Sequence, residues 1–72
     1  MCTFTFTYTD GKILDCEHIE SAAYTSGNRV DIPGQDLATH MFPLHKDLWL
    51  FTESGSFCIS SDGLRSIEVT TE

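Results

Sequence analysis

FTFTYTDGKILDCEHIESAAY, residues 4–24, is the stretch whose reading decides the fold. From Cys2 to Thr9 the chain alternates strictly, with Cys2, Phe4, Phe6 and Tyr8 on one side and threonines on the other. A period of two with β-branched residues on the wetter side describes a half-buried β-strand. Asp10-Gly11 then marks a hairpin turn. Loop length settles which side chains meet. A two-residue loop would set Phe6 against Asp15 on the apolar side, which is unfavourable. A three-residue loop, Thr9-Asp10-Gly11 with Gly11 left-handed, sets Phe6 against Leu14 and Phe4 against Cys16, and the apolar face becomes consistent. The other side of this hairpin carries Thr3, Thr5, Thr7, Ile13, Asp15 and Glu17.

Residues 48–69, LWLFTESGSFCISSDGLRSIEV, repeat the pattern. With Gly11 aligned on Gly55, Phe4 falls on Leu48, Phe6 on Leu50 and Ile13 on Phe57. One extra residue in the second copy brings Ile19 onto Leu64, Ser21 onto Ser66 and Tyr24 onto Val69. Each copy is then a hairpin followed by a third short strand, expected near Ser21–Thr25 and Ser66–Thr71. By analogy with the first copy, Glu53-Ser54-Gly55 is expected to be a three-residue loop. That register pairs Leu50 with Cys58 and Leu48 with Ser60. It places Trp49, Phe51, Phe57 and Ile59 together on the opposite side, so the second hairpin is apolar on both faces.

Between the copies, Ser26-Gly27-Asn28 reads as a turn and Arg29–Ile32 as a further short strand, stopped by Pro33-Gly34. The insert 33–47 does not repeat. Leu37 and Met41 stand four apart, which suits one or two helical turns ended by Pro43, with a meandering edge strand as the alternative. Its apolar residues, Leu37, Met41, Phe42 and Leu44, are expected to cover the Trp49 side of the second hairpin. The whole chain, 1–72, is expected to be one all-β domain. It is a small antiparallel roll, sandwich or partly open barrel of six to seven short strands, built from two hairpin-plus-strand units. Thr71 and Glu72 are expected to fray.

Seventy-two residues bury only about 60% of their unfolded surface, so small domains tend to recruit a disulfide, a metal or a partner. A net charge of −7 with four scattered cations, Lys12, Arg29, Lys46 and Arg65, speaks against nucleic-acid binding. No stretch is long or apolar enough to span a membrane, and residues 1–11 alternate rather than form a basic leader, so the expected compartment is the cytoplasm. Three cysteines, Cys2, Cys16 and Cys58, form no CxxC pair and are expected to be reduced.

Chemistry is thinly signalled. Cys2, Cys16 and His18 share a face in the first register and are weak metal candidates, because zinc sites use four ligands in tight local pairs. Cys16 and His18 lie about 7 Å apart along a strand, too far to act as a nucleophile and base. No nucleophile elbow, glycine-rich phosphate loop or calcium loop is present, and no cofactor is implied. Asp15 and Glu17 read as a solvated strand face.

The aromatic group Trp49, Phe51, Phe57 and Ile59 is the candidate partner-binding surface, unless the insert covers it. The expected function is therefore a small acidic, non-enzymatic protein-interaction module whose partner is another protein or, as a homodimer, a second copy. Size and charge fit the accessory or inhibitory proteins of phages and mobile elements. The alternative is a β-roll that binds a small ligand or a metal.

Overall fold

The computed structural model describes residues 1–72 and is all-β: seven antiparallel strands in two sheets, one 3-10 turn and no closed barrel. In chain order the strands are β1 (Cys2–Tyr8), β2 (Ile13–Ile19), β3 (Ser21–Ser26), β4 (Asn28–Ile32), β5 (Leu48–Thr52), β6 (Gly55–Ile59) and β7 (Leu64–Thr71). One sheet has the order β2-β1-β7, the other β4-β3-β5-β6. No helix is long and apolar enough to cross a membrane.

The repeat seen in the sequence reappears as an exchange. The first hairpin, β1-β2, sends its third strand β3 to pair with β5 of the second. The second hairpin, β5-β6, sends β7 to pair with β1 of the first. Ser21 lies opposite Phe51 as Ser66 lies opposite Thr7, so the third strands correspond as aligned. Strand β4, the expected extra strand, extends the second sheet alongside β3.

The first hairpin has the expected register, with Phe4 opposite Cys16 and Phe6 opposite Leu14. The second does not. Its loop is the two residues Glu53-Ser54, and the pairs are Leu48–Ile59, Trp49–Cys58, Leu50–Phe57, Phe51–Ser56 and Thr52–Gly55. This slip by one residue exchanges the faces of β6 relative to expectation. It gathers Leu48, Leu50, Phe57 and Ile59 on the inner side and leaves Trp49 and Phe51 outside with Cys58 and Ser56. The physical gain is plain: Ile59 joins the core, where the three-residue loop would have put Cys58 and Ser60.

Inner-side residues of both sheets make the core. Cys2, Phe4, Phe6, Cys16 and Ile19 come from the three-stranded sheet, and Ala22, Ile32, Leu48, Leu50 and Ile59 from the other. No polar side chain is buried. Leu37, just after the 3-10 turn Gly34–Asp36, fills the remaining space.

The insert contains only that single helical turn, and it does not lie over Trp49. Phe42 instead packs edge-on against Phe4, 5.4 Å between ring centres, and against Tyr24. His40 meets Phe42 edge to face and shares a 2.8 Å hydrogen bond between its Nε2 and the Tyr24 hydroxyl. Met41 is left 91% exposed.

The end of the chain is tied down rather than frayed. The Glu72 amide donates to the Met1 carbonyl, and the Glu72 carboxylate accepts from the His18 amide (2.6 Å) and the Thr3 hydroxyl (3.1 Å). Glu72 Oε1 also lies 2.8 Å from His18 Nδ1. His18 belongs to a β-bulge opposite Thr3 and has φ +59°, a left-handed conformation in which His is among the more tolerated residues.

Candidate interaction surfaces

The bulge at Glu17-His18 decides the fate of the weak metal candidates. Cys2 pairs with Ile19 rather than His18. Cys2 and Cys16 face the core while the His18 ring lies outside, between the carboxylates of Glu17 and Glu72. The shared face expected for the three is absent, because the extra residue of the bulge turns His18 away. Nowhere do three or more His, Cys, Asp or Glu side chains converge as a metal site would require.

All three cysteines are free. Burial pushes the Cys16 thiol up from its ordinary value, and the Asp15 charge adds to this. Partial burial and the charge of Asp47 do the same for Cys58. Thiols shifted this way hold their proton at neutral pH and are poor nucleophiles. His40, the one imidazole packed among aromatic rings, is taken up by Tyr24.

Two surfaces remain. The first is the outer side of the four-stranded sheet. Alternation along β5 puts Trp49 and Phe51 there. Across the rows, Trp49 stands beside Ala23 and Cys58, and Phe51 beside Ser21 and Ser56. From β4, Arg29 reaches along this side until its guanidinium is 5.8 Å from the centre of the Phe51 ring, a cation–π contact. Its Nε donates to Asp31 at 2.9 Å. Between Trp49 and Arg29 the small Ala23 leaves a shallow notch of about 70 Å³. Trp49 is 47% exposed and Phe51 half-buried.

Of the four residues expected to form one partner-binding side, the structure thus keeps Trp49 and Phe51 together. It sends Ile59 into the core and Phe57 to the inner rim, where it is 38% exposed. Arg29 joins Trp49 and Phe51 on this side, which local sequence pattern does not show. Its position on the strand after the Gly27 turn is a signal only once β4 is known to lie two strands from β5.

The second surface is a groove of about 400 Å³ between the insert and β7. Met41, Phe42 and Leu44 form one wall, Ile67 and Val69 the other, with Arg65 at one end. It exists because the insert is anchored by Phe42 and Leu37 but does not hydrogen-bond to β7.

In comparison with known proteins, the chain matches no family model, no curated protein and no solved structure.

Proposed function

We propose that this chain is a small non-enzymatic protein-interaction module whose contact surface is the outer side of the four-stranded sheet, with a second copy as its simplest partner. The observation that carries the reading is Trp49, half-exposed on a sheet face that the rest of the chain leaves open. Trp and Arg are over-represented among the residues that dominate binding energy, and here Arg29 stands beside Phe51 in the same patch. Large apolar side chains held in solvent by a rigid sheet normally mark an interface.

Charge fits a self-contact on this side. The molecule is strongly acidic as a whole, yet the patch holds one cation and one anion, Arg29 and Asp31, already paired. The patch therefore carries no net charge, and two copies meeting there escape the net repulsion that the acidic remainder of the surface would impose. A chain with so few buried residues also gains stability from a partner that covers Trp49.

The test is sedimentation combined with Trp49 fluorescence over a dilution series. A dimer is expected, with emission moving to the red as it dissociates and Trp49 meets water. The Trp49→Ala chain should stay monomeric at concentrations where the parent is dimeric, with unchanged backbone circular dichroism. A monomer at every concentration, with red emission that dilution does not alter, sinks the self-contact.

A further inference from the structure

The molecule has four sheet edges, and they are not equally protected. Strand β2 is interrupted by the bulge with left-handed His18. Strands β4 and β6 are five residues each, and short edges are poor templates for pairing. Strand β7 is different. It is the longest strand, pairs only with β1, and runs in regular register from Ser66 to Thr71. No backbone hydrogen bond from the insert or any loop closes its outer edge. In an antiparallel edge strand every second residue sends both its N–H and its C=O outward.

Two further features lie beside this edge, one on each side of the sheet. On the inner side is the apolar groove walled by Met41, Leu44, Ile67 and Val69. On the outer side, Asp15, Thr5 and Glu68 form one row across the three strands. Thr5 donates to Asp15 at 2.7 Å, but neither carboxylate has a cationic partner; the Arg29–Asp31 ion pair and the two contacts of His18 with carboxylates lie elsewhere.

We infer that the edge of β7 is a second docking site, which accepts an extended segment of a partner protein as an added strand, with apolar and basic residues alternating along that segment. The inference rests on the reading of this chain as an interaction module and names a second contact and its chemistry. A strand added beside β7 sits about 4.8 Å away, with side chains alternating between the two sides of the sheet. Residues level with Ile67 and Val69 enter the groove and cover Met41 and Leu44. Residues level with Ser66, Glu68 and Thr70 stand over the outer side, where Lys or Arg meets Glu68 directly and the Asp15 charge, two strands further in, adds only to the field. The backbone supplies affinity, the groove sets the register, and the unpaired carboxylates select charge. Arg65, the one cation at the groove, stands at the far end from Thr70 and leaves the acidic half of the edge to the partner's cations.

The probe is a capped peptide of Lys-Val repeats, titrated into the full chain labelled with ¹⁵N and ¹³C, with a Glu-Val peptide as the comparison. The Lys-Val peptide is expected to shift the amides of Ser66–Thr71 and the methyls of Met41 and Leu44, and to slow exchange of alternate β7 amides. Glu68→Lys, an exposed change on the outer side, should weaken it about fivefold, the scale of one surface charge pair. Three results overturn the inference: no shift in β7, equal binding of the Glu-Val peptide, or β7 amides already protected in concentrated peptide-free protein, which would make a second copy the occupant. Shifts confined to Trp49 and Phe51 would sink the edge site and leave the interaction reading standing. Binding at β7 in a chain that stays monomeric, with Trp49 indifferent to dilution, would keep the edge site and sink the Trp49 self-contact.

Discussion

At the scale of single residues, two carboxylates hold the molecule's corners. Asp47 accepts from the amide and the hydroxyl of Ser61, at 2.8 and 3.0 Å, and so fixes the turn between β6 and β7 to the start of β5. Glu72 accepts from His18 and Thr3 and closes the bulge on β2. These donors hold both carboxyls below their ordinary values, the Ser61 amide leading for Asp47 and the His18 amide for Glu72. A carboxyl depressed in the folded state contributes stability above its unfolded pKa, about 4, and loses it as pH falls through the folded value. Cys16 and Tyr8 work in the opposite sense. Burial raises both, so they contribute below their unfolded values and the contribution fades as pH rises past about 8.5. The urea midpoint should therefore be flat across neutral pH, fall below about pH 4 and fall again in alkali. The double variant Asp47→Asn, Glu72→Gln should be less stable than the parent at neutral pH, with the gap closing in acid. A gap that stays constant down to pH 3 would mean that the two carboxylates do not carry the acid limb.

At the scale of elements, the second hairpin shows where a sequence argument reaches its limit. The first hairpin was legible because Asp15 vetoes one of its two registers. The second has no such veto: Ser60, Cys58 and Ser56 tolerate either side, and analogy with Gly11 pointed to a three-residue loop. The structure has Gly11 at φ +89°, but Gly55 is an ordinary strand residue without a left-handed backbone. Neither Glu53 nor Ser54 has positive φ, so the turn is right-handed, as suits residues with side chains. Substitutions at three glycines test this arrangement. A Cβ at Gly55 meets no atom within 4 Å, and Gly55→Thr should stabilise by about 0.4–1 kcal/mol through the unfolded state. Gly11→Ala must adopt a left-handed conformation and should cost about 1 kcal/mol. Gly34→Ala places a Cβ 2.7 Å from the Glu20 carbonyl, at the corner between β2 and β3, and should cost more than Gly11→Ala. Urea midpoints rank the three, and a destabilised Gly55→Thr would restore the three-residue loop. The side proposed to bind a partner carries the same ambiguity. Trp49 and Phe51 were legible from β5 alone, whereas the placing of Phe57 and Ile59 depended on a register that local pattern did not fix. His18 was misplaced for a related reason, since a bulge held by a residue from the far end of the chain leaves no local trace.

At the scale of the whole molecule, the exchange of third strands makes the two halves depend on each other. The internal repeat made the all-β class and the hairpin-plus-strand units readable, but it did not show that each unit lends its last strand to the other. That follows from burial: a hairpin with one apolar side needs a cover, and sharing strands closes two faces over one core, in which Phe4, Phe6 and Leu50 are fully buried. The consequence is cooperativity. Strand β7 meets β1 along seven residue pairs, from Cys2–Thr71 to Tyr8–Leu64, and these join opposite ends of the chain. Pairing of this kind cannot form until most of the molecule is in place, so folding should be slow for so short a chain, in the millisecond-to-second range. A chain ending at Gly63 would leave Phe4 and Phe6 beside an open edge and remove Ile67 and Val69 from the core's border. Its loss should unfold the four-stranded sheet as well, although that sheet keeps every one of its own strands. In the full chain, the slowest-exchanging amides of β1 and β5 should accordingly report the same opening free energy. If the shortened chain kept dispersed amide signals for β3, β4, β5 and β6, the four-stranded sheet would be stable by itself, and the exchange of strands would be a matter of packing rather than of mutual dependence.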